Sequence, residues 1–162
     1  MNATWIVVMG VSGCGKSSLG GALAEALALP LIEGDDFHPP ANVAKMSAGI
    51  PLTDADRAGW LDTLGAQLAT HADGAVLTCS ALKRAYRERL RAAVPGLRFV
   101  FMALTPEEAQ RRVASRSDHM FPASLVANQF ATLESPVGEA GVLAVDATAP
   151  PSRQLAEVRA WI

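Results

Sequence analysis

Short apolar runs alternate with helical patterns along this chain. The first run, residues 5–9, is continuously apolar, as in a parallel strand that is buried on both faces. From Lys16 to Leu27, apolar side chains recur every three to four residues, which predicts a helix with one buried face. Four further strands are predicted at residues 31–33, 75–79, 98–104 and 142–145. This alternation is typical of a parallel sheet covered by helices.

Capping signals mark where several helices begin and end. Thr53 and Asp56 form a capping box that opens a helix, and its inward side chains are Trp60, Leu61, Leu64 and Leu68. The helix after the third strand ends near Pro95, and Thr105 precedes a helix that begins at Pro106. Another helix covers residues 154–161. Five strands with intervening helices predict one domain, residues 1–162, folded as a three-layer α/β/α sandwich. In such sheets, ligands bind beyond the carboxyl ends of the strands.

Composition and charge narrow the classes of function. Of the 162 residues, 50% are hydrophobic and 19% charged, which is a globular composition and excludes a mainly disordered chain. The net charge of −2 offers no basic excess for nucleic acid and no polybasic patch for a membrane surface. Cys14 and Cys79 lie far apart without a CxxC pattern, as expected in a reducing compartment. We therefore expect a cytoplasmic protein that binds neither nucleic acid nor membrane.

A phosphate-binding loop follows the first strand directly. The segment matches G-x-x-x-x-G-K-[ST], with a strand before it and an amphipathic helix after it. Its glycines allow several N–H groups to face one anion, and the helix adds its positive end. Lys16 is expected to reach the β- and γ-phosphates, and the Ser17 hydroxyl to ligate Mg²⁺. The expected nucleotide contacts are Gly10, Val11, Ser12, Gly13, Cys14, Gly15, Lys16, Ser17 and Ser18.

Three classes of phosphate-loop protein compete: a small-molecule kinase, a GTPase switch and an ATPase module of a larger machine. A GTPase needs an N-K-x-D motif, which this sequence lacks. An ATPase motor usually has an acidic residue at the end of its third strand, whereas this strand ends Thr78-Cys79-Ser80. The hhhhD pattern ending at Asp146 comes last and is expected at a sheet edge. The sequence therefore favours a small-molecule kinase.

Candidates for the acceptor site follow the second strand. The segment from Glu33 to Pro39 offers three acids and a histidine, and a kinase needs a carboxylate to orient and deprotonate the incoming hydroxyl. We expect Asp35 to be this base. Asp36 is the weaker candidate, because adjacent side chains in extended backbone point to opposite sides.

Two basic pairs complete the predicted site. Lys83 and Arg87 are four residues apart on a predicted helix and have no acid four residues further on, which favours binding of an anionic substrate. Arg112 and Arg116 share a helix face, and their repulsion is tolerable if a phosphate or an adenine ring lies between them. These two arginines predict a short lid over the nucleotide, at about residues 112–124.

The chain resembles gluconate kinase, in the branch of P-loop NTPases related to shikimate and nucleoside monophosphate kinases. The resemblance covers nearly the whole chain. Besides the phosphate loop, it depends on Glu33-Gly34-Asp35-Asp36-Phe37-His38-Pro39, Cys79-Ser80-Ala81-Leu82-Lys83 and Gln129-Phe130 with Leu133-Glu134-Ser135-Pro136. The loop alone is shared by many unrelated proteins, whereas the combination is far more specific. The chain departs from the usual pattern at Cys14, where serine is more common.

The resemblance implies ATP-dependent phosphorylation of the 6-hydroxyl of D-gluconate, and a homodimer. In that mechanism, Lys16, Mg²⁺ on Ser17, Arg112 and Arg116 neutralise the transferred group, and Asp35 accepts the proton. His38, Lys83 and Arg87 bind the polyol and its carboxylate, with Lys45 and Arg57 as second candidates. Residues 38–62 are expected to cover the acceptor. Two alternatives stay open: a kinase of another small hydroxy acid such as shikimate, and a nucleotide-binding regulatory subunit with little turnover.

Overall fold

Five parallel strands form the centre of the fold in a computed structural model of the chain, which describes residues 3–114 and 125–162. Their spatial order is β2-β3-β1-β4-β5, so β5, with its terminal Asp146, lies at an edge as predicted. The predicted strand boundaries agree with the observed ones to within one residue. The strands are β1 (Thr4–Met9), β2 (Leu31–Glu33), β3 (Gly74–Thr78), β4 (Arg98–Ala103) and β5 (Val142–Asp146).

The register of the central strands brings their carboxyl ends together. On β1, Ile6 through Met9 are fully buried, as the continuous apolar run predicted. Val8 of β1 pairs with Thr78 of β3, and Thr78 pairs in turn with Glu33 of β2. The chain segments that leave these three strands therefore start side by side at one edge of the sheet.

The helices include two that the sequence pattern did not reveal. Helix α1 has the predicted bounds, whereas α2 and α6 are short and carry too few apolar positions to show a period. Helix α1 contacts α7, and α3 contacts α4. None of the described helices combines the length and the apolar character that a membrane span requires. The helices are α1 (Lys16–Leu27), α2 (Pro40–Ser47), α3 (Asp54–Thr70), α4 (Arg84–Ala93), α5 (Pro106–Ala114), α6 (Val126–Thr132) and α7 (Pro151–Trp161).

Helix α3 begins where its capping box predicts. The Asp56 N–H donates to Thr53 Oγ1 at 3.1 Å, and the Thr53 N–H donates to Asp56 Oδ2 at 2.9 Å. All four predicted inward side chains of this helix are buried. Thr105 also caps α5 as predicted, because its Oγ1 accepts a hydrogen bond from the Glu108 N–H. The strand order and these helices confirm the predicted α/β fold with a five-stranded parallel sheet.

Gly34 allows a 3-10 helix, Gly34–Phe37, to start directly against the sheet. A Cβ at this position would lie 2.3 Å from the Thr78 carbonyl oxygen, so no other residue fits without moving the backbone. The Gly34 carbonyl accepts a hydrogen bond from Trp60 Nε1 of α3 at 2.8 Å. The 3-10 helix that carries Asp35 and Asp36 is thereby held between the sheet and α3.

Candidate active site

The phosphate loop between β1 and α1 takes a backbone path that needs its glycines. Gly10, Gly13 and Gly15 have φ values of 148°, 85° and 96°, which side chains disfavour. A Cβ on Gly10 would lie 2.8 Å from Cys14 Sγ. Helix α1 begins immediately after Gly15 with no side-chain cap, so its first N–H groups face the loop. This arrangement fits a phosphate group.

Lys16 and Ser17 extend the loop toward its neighbours. Lys16 Nζ donates to the carbonyl oxygens of Gly10 at 3.0 Å and Val11 at 3.1 Å, so it spans the loop. Ser17 Oγ donates to Glu33 Oε2 at 3.0 Å, and Thr78 Oγ1 donates to the same oxygen at 2.5 Å. A hydroxyl and a carboxylate are ligands that Mg²⁺ prefers, so this pair fits the metal expected at Ser17.

A cavity of about 480 Å³ joins the phosphate loop to the segment after β2. On one side it is lined by loop residues, among them Ser12, Lys16 and Ser17. On the other side it is lined by Asp35 and His38. One cavity therefore brings together six of the nine predicted loop contacts and the predicted base. The other three, Gly10, Val11 and Cys14, are not among the residues that line it, and the side chains of Val11 and Cys14 are buried.

On the acceptor side of the cavity, the Asp35 carboxylate is exposed and the His38 imidazole is buried. The side chain of Asp35 is 71% exposed, whereas that of His38 is only 3% exposed, and His38 Nε2 lies 3.7 Å from Asp35 Oδ1. The His38 ring stacks on Trp60 at a centroid distance of 4.1 Å. Burial lowers the pKa of His38, more than the nearby Asp35 raises it, so the ring is neutral at neutral pH. Asp36 is not among the described residues that line the cavity.

Arg57 places a positive charge at the acceptor end of the cavity. Its Nη1 donates to the Tyr86 hydroxyl at 3.0 Å and to the Leu52 carbonyl at 3.2 Å. The sequence predicts Arg57 only as a second candidate for binding the substrate. It lies three residues before Trp60 on α3 and therefore shares a helix face with this cavity residue. Lys45, the other second candidate, is paired with Asp56 at 2.8 Å and does not line the cavity.

The prediction that Arg87 binds the substrate is corrected by its position. Arg87 is fully buried, and Glu139 accepts from both its Nε and its Nη2. The carbonyl oxygens of Ala81 and Glu134 accept its remaining hydrogen bonds, at 2.8 Å and 2.9 Å. Because these partners come from distant parts of the chain, helical spacing alone could not reveal them. Arg87 is a structural residue.

Lys83 likewise lies outside the lining of the cavity. It is the residue before α4 rather than part of the helix, so the prediction that Lys83 shares a helix face with Arg87 is wrong. Lys83 is also absent from the lining of the cavity. Its Nζ donates to Asp54 Oδ1 at 3.0 Å, and the Tyr86 hydroxyl donates to the same oxygen. The hydrogen bond from Tyr86, followed by that from Lys83, lowers the pKa of Asp54.

Arg112 and Gln129 contact adjacent residues of the phosphate loop from the two helices α5 and α6. Arg112 Nη1 donates to the Gly13 carbonyl at 3.1 Å, and Gln129 Oε1 accepts from the Ser12 N–H at 2.6 Å. Arg112 thus contacts the loop that is predicted to bind the nucleotide, and both residues line the cavity. In the sequence, Gln129 stands out only as part of the Gln129-Phe130 motif of the family resemblance, and that motif is the available signal. Arg116 and the predicted lid residues 115–124 lie outside the described residues.

Comparisons with known proteins identify close relatives over most of the chain. A family model described as an AAA domain matches residues 6–136. A gluconokinase from Gluconobacter oxydans is 48% identical over 95% of this chain and 88% of its own length. The thermoresistant gluconokinase of Escherichia coli is 38% identical over 89% of this chain and 85% of its own.

Solved structures agree with these sequence matches. A gluconokinase from Sinorhizobium meliloti superposes with a TM-score of 0.89 at 49% identity, and the match covers 97% of this chain and 90% of that one. The APS kinase of Mycobacterium tuberculosis superposes with a TM-score of 0.70 at 21% identity, covering 99% of this chain and 98% of that one. The second match shows the fold alone, which is the fold of a phosphate-loop kinase.

Proposed function

Because the chain belongs to the gluconokinase family, we propose that it phosphorylates D-gluconate at the 6-hydroxyl, giving 6-phospho-D-gluconate and ADP from ATP. The observation that carries this proposal is that Lys16 of the phosphate loop lines the same cavity as Asp35 and Arg57. A phosphate site, a carboxylate base and a cation for an acidic acceptor are the parts that this reaction requires.

The nucleotide side holds phosphate through backbone N–H groups and neutralises its charge through side chains. The loop amides and the start of α1 bind the phosphates, and Lys16 approaches the oxygens that become more negative during transfer. Ser17 and Glu33 supply oxygen ligands for Mg²⁺. When bound, MgATP supplies the phosphoryl group and part of the charge neutralisation. Arg112 adds a positive charge beside Gly13.

The acceptor side orients a sugar acid. Asp35 accepts the proton of the attacking hydroxyl, because its exposed carboxylate lies in the cavity that the phosphate loop lines. Arg57 binds the gluconate carboxylate in place of the pair Lys83 and Arg87, because Arg57 lines the cavity and those two do not. His38 contributes a polar ring edge to the polyol.

Several parts of the proposal extend beyond these contacts. Arg116 completes charge neutralisation from a lid at about residues 112–124, and residues 38–62 cover the acceptor and exclude water. The protein is cytoplasmic, and the family resemblance implies a homodimer. Its ligands are small molecules, and it binds neither nucleic acid nor membrane.

The test is ADP formation from MgATP, measured in a coupled assay with a panel of acceptors. We expect rapid turnover with gluconate and little with glucose, which has the same 6-hydroxyl but no carboxylate for Arg57. Faster turnover with shikimate or another hydroxy acid than with gluconate would show that this acid is the preferred substrate. The absence of turnover with every acceptor, together with tight nucleotide binding, would favour a regulatory subunit.

A further inference from the structure

Asn42 is a buried polar side chain on α2, only 3% exposed, and it contacts the wall of the cavity from behind. Its Nδ2 lies 3.0 Å from the Asp56 carbonyl oxygen and 3.3 Å from His38 Nδ1. Asn42 itself does not line the cavity, so its polar group has no direct access to a substrate there.

The two contacts of Asn42 determine which nitrogen of His38 carries a proton. A backbone carbonyl only accepts hydrogen bonds, so the side-chain atom that faces the Asp56 carbonyl is the NH₂ group of Asn42. The same NH₂ group faces His38 Nδ1, which must therefore be the acceptor nitrogen of the ring. In a neutral imidazole the other nitrogen, Nε2, then carries the hydrogen. Nε2 is the atom that lies toward Asp35.

We propose that Asn42 is a positioning residue that fixes His38 in its Nε2–H tautomer, so that the ring presents a donor to Asp35 and to the acceptor hydroxyls. The inference deepens the proposed function, on which the roles of Asp35 and the hydroxyls rest. A donor at this point binds a carboxylate oxygen or a sugar hydroxyl oxygen, whereas the other tautomer would place a lone pair against the carboxylate. The tautomer therefore decides whether His38 supports or opposes the orientation of the base.

The surroundings hold the ring in this state. Stacking on Trp60 fixes its plane, and Trp60 is in turn anchored to Gly34. Among the described residues, the charged groups that face His38 are Asp35 on the 3-10 helix and Arg57 on α3.

Protonation of His38 would place an Nδ1–H against the NH₂ group of Asn42, donor against donor. Burial and Arg57 also disfavour the charged ring, and of the groups that the structure describes around it, Asp35 favours it. The side-chain carboxylate of Asp56 accepts hydrogen bonds from Lys45 Nζ and the Thr53 N–H. The backbone carbonyl oxygen of Asp56 accepts the hydrogen bond from Asn42.

The test is nitrogen-15 NMR of the imidazole rings in the intact protein, where only His38, His71 and His119 contribute. Substitutions of His71 and His119 by Gln assign the signals. At pH 7.5 we expect a protonated Nε2 and an unprotonated Nδ1 for His38. A protonated Nδ1 in the wild-type protein would overturn the inference, and this measurement needs no variant at the site and no turnover.

Asn42→Asp supplies the second readout, because a carboxylate at this position accepts a hydrogen bond from Nδ1–H. We expect the pKa of His38 to rise, with its proton affinity increasing at least about tenfold, and the acidic limb of the kcat profile to move to higher pH. The titration of His71 serves as the internal control. An unchanged His38 titration in this variant would contradict the role of Asn42. Failure of gluconate turnover, with the expected tautomer present, would instead contradict the proposed function.

Discussion

Arg87 and Glu139 form a two-point ion pair in the interior, with Nε 3.0 Å from Oε1 and Nη2 2.6 Å from Oε2. The pair ties α4 to the loop that precedes β5, and Arg87 is fully buried. Removing one partner of such a pair leaves a charge in a medium that cannot solvate it. The pair therefore fixes the position of the loop more than it adds net stability.

We expect Glu139→Gln to lower the free energy of unfolding by about 3 kcal/mol, because Arg87 stays buried without its counter-charge. Urea denaturation of both proteins measures the difference. Glu157→Gln is the matched control, since Glu157 pairs with Arg153 on the surface and should cost less than about 1 kcal/mol.

The same pair gives this prediction a pH dependence. Arg87, helped by Arg91, lowers the pKa of Glu139 in the folded protein. A lowered pKa contributes stability above the pKa of the unfolded chain, and this contribution is lost as the pH falls through the folded value. The difference between wild type and Glu139→Gln should therefore shrink in acid. A difference that is constant from neutral to acidic pH would contradict the assignment.

Lys16→Met should abolish phosphoryl transfer and leave the fold intact, because the side chain neutralises phosphate charge and its hydrogen bonds to described residues stay within its own loop. Turnover and thermal unfolding are measured on the same preparation. Lys45→Met, which removes a lysine outside the cavity lining, is the control and should keep most of the turnover. Near-normal turnover of Lys16→Met would disprove the mechanism.

Gln129→Leu removes the acceptor of the Ser12 N–H while it keeps the size of the side chain. Loss of one hydrogen bond to the loop should raise the KM for ATP or lower kcat, with kcat/KM for ATP falling roughly tenfold. Gln67→Leu on α3 makes the same chemical change away from the cavity and should have no such effect. Equal kinetics for the two variants would show that α6 does not hold the loop for catalysis.

Arg57→Gln should raise the KM for gluconate at least about tenfold, since a charged hydrogen bond to the carboxylate is lost. The KM for ATP should change little. Arg89→Gln is the control, because Arg89 pairs with Asp62 on the surface. A larger rise in the gluconate KM for Lys83→Gln than for Arg57→Gln would show that Lys83, rather than Arg57, binds the gluconate carboxylate.

The local signals in the sequence predicted the fold and the neighbouring positions of the phosphate loop and Asp35. Continuous apolar runs, the capping box at Thr53 and the glycine pattern of the loop are decided within a few residues, so they could be read directly. The loop and Asp35 line one cavity, as expected because the carboxyl ends of parallel strands lie at the same edge of the sheet.

The basic residues were harder to predict, because their partners are distant in sequence. Arg87 is 52 residues from Glu139, and Lys83 is 29 residues from Asp54, so neither ion pair follows from helical spacing. Arg57 could have been ranked higher from its position three residues before Trp60. The link between Asn42 and His38 spans only four residues, but it requires α2, whose weak pattern gave no prediction.

The central claim, that Asp35 is the base, is tested most directly by kcat of Asp35→Asn and Asp36→Asn, measured beside gluconate binding by calorimetry. Asparagine keeps the shape of the carboxylate but cannot accept the proton. We expect kcat of Asp35→Asn to fall by roughly two to four orders of magnitude, with gluconate still bound through Arg57, and a milder loss for Asp36→Asn. A larger loss of kcat at Asp36 would contradict the assignment, and loss of gluconate binding in Asp35→Asn would make Asp35 a substrate ligand instead.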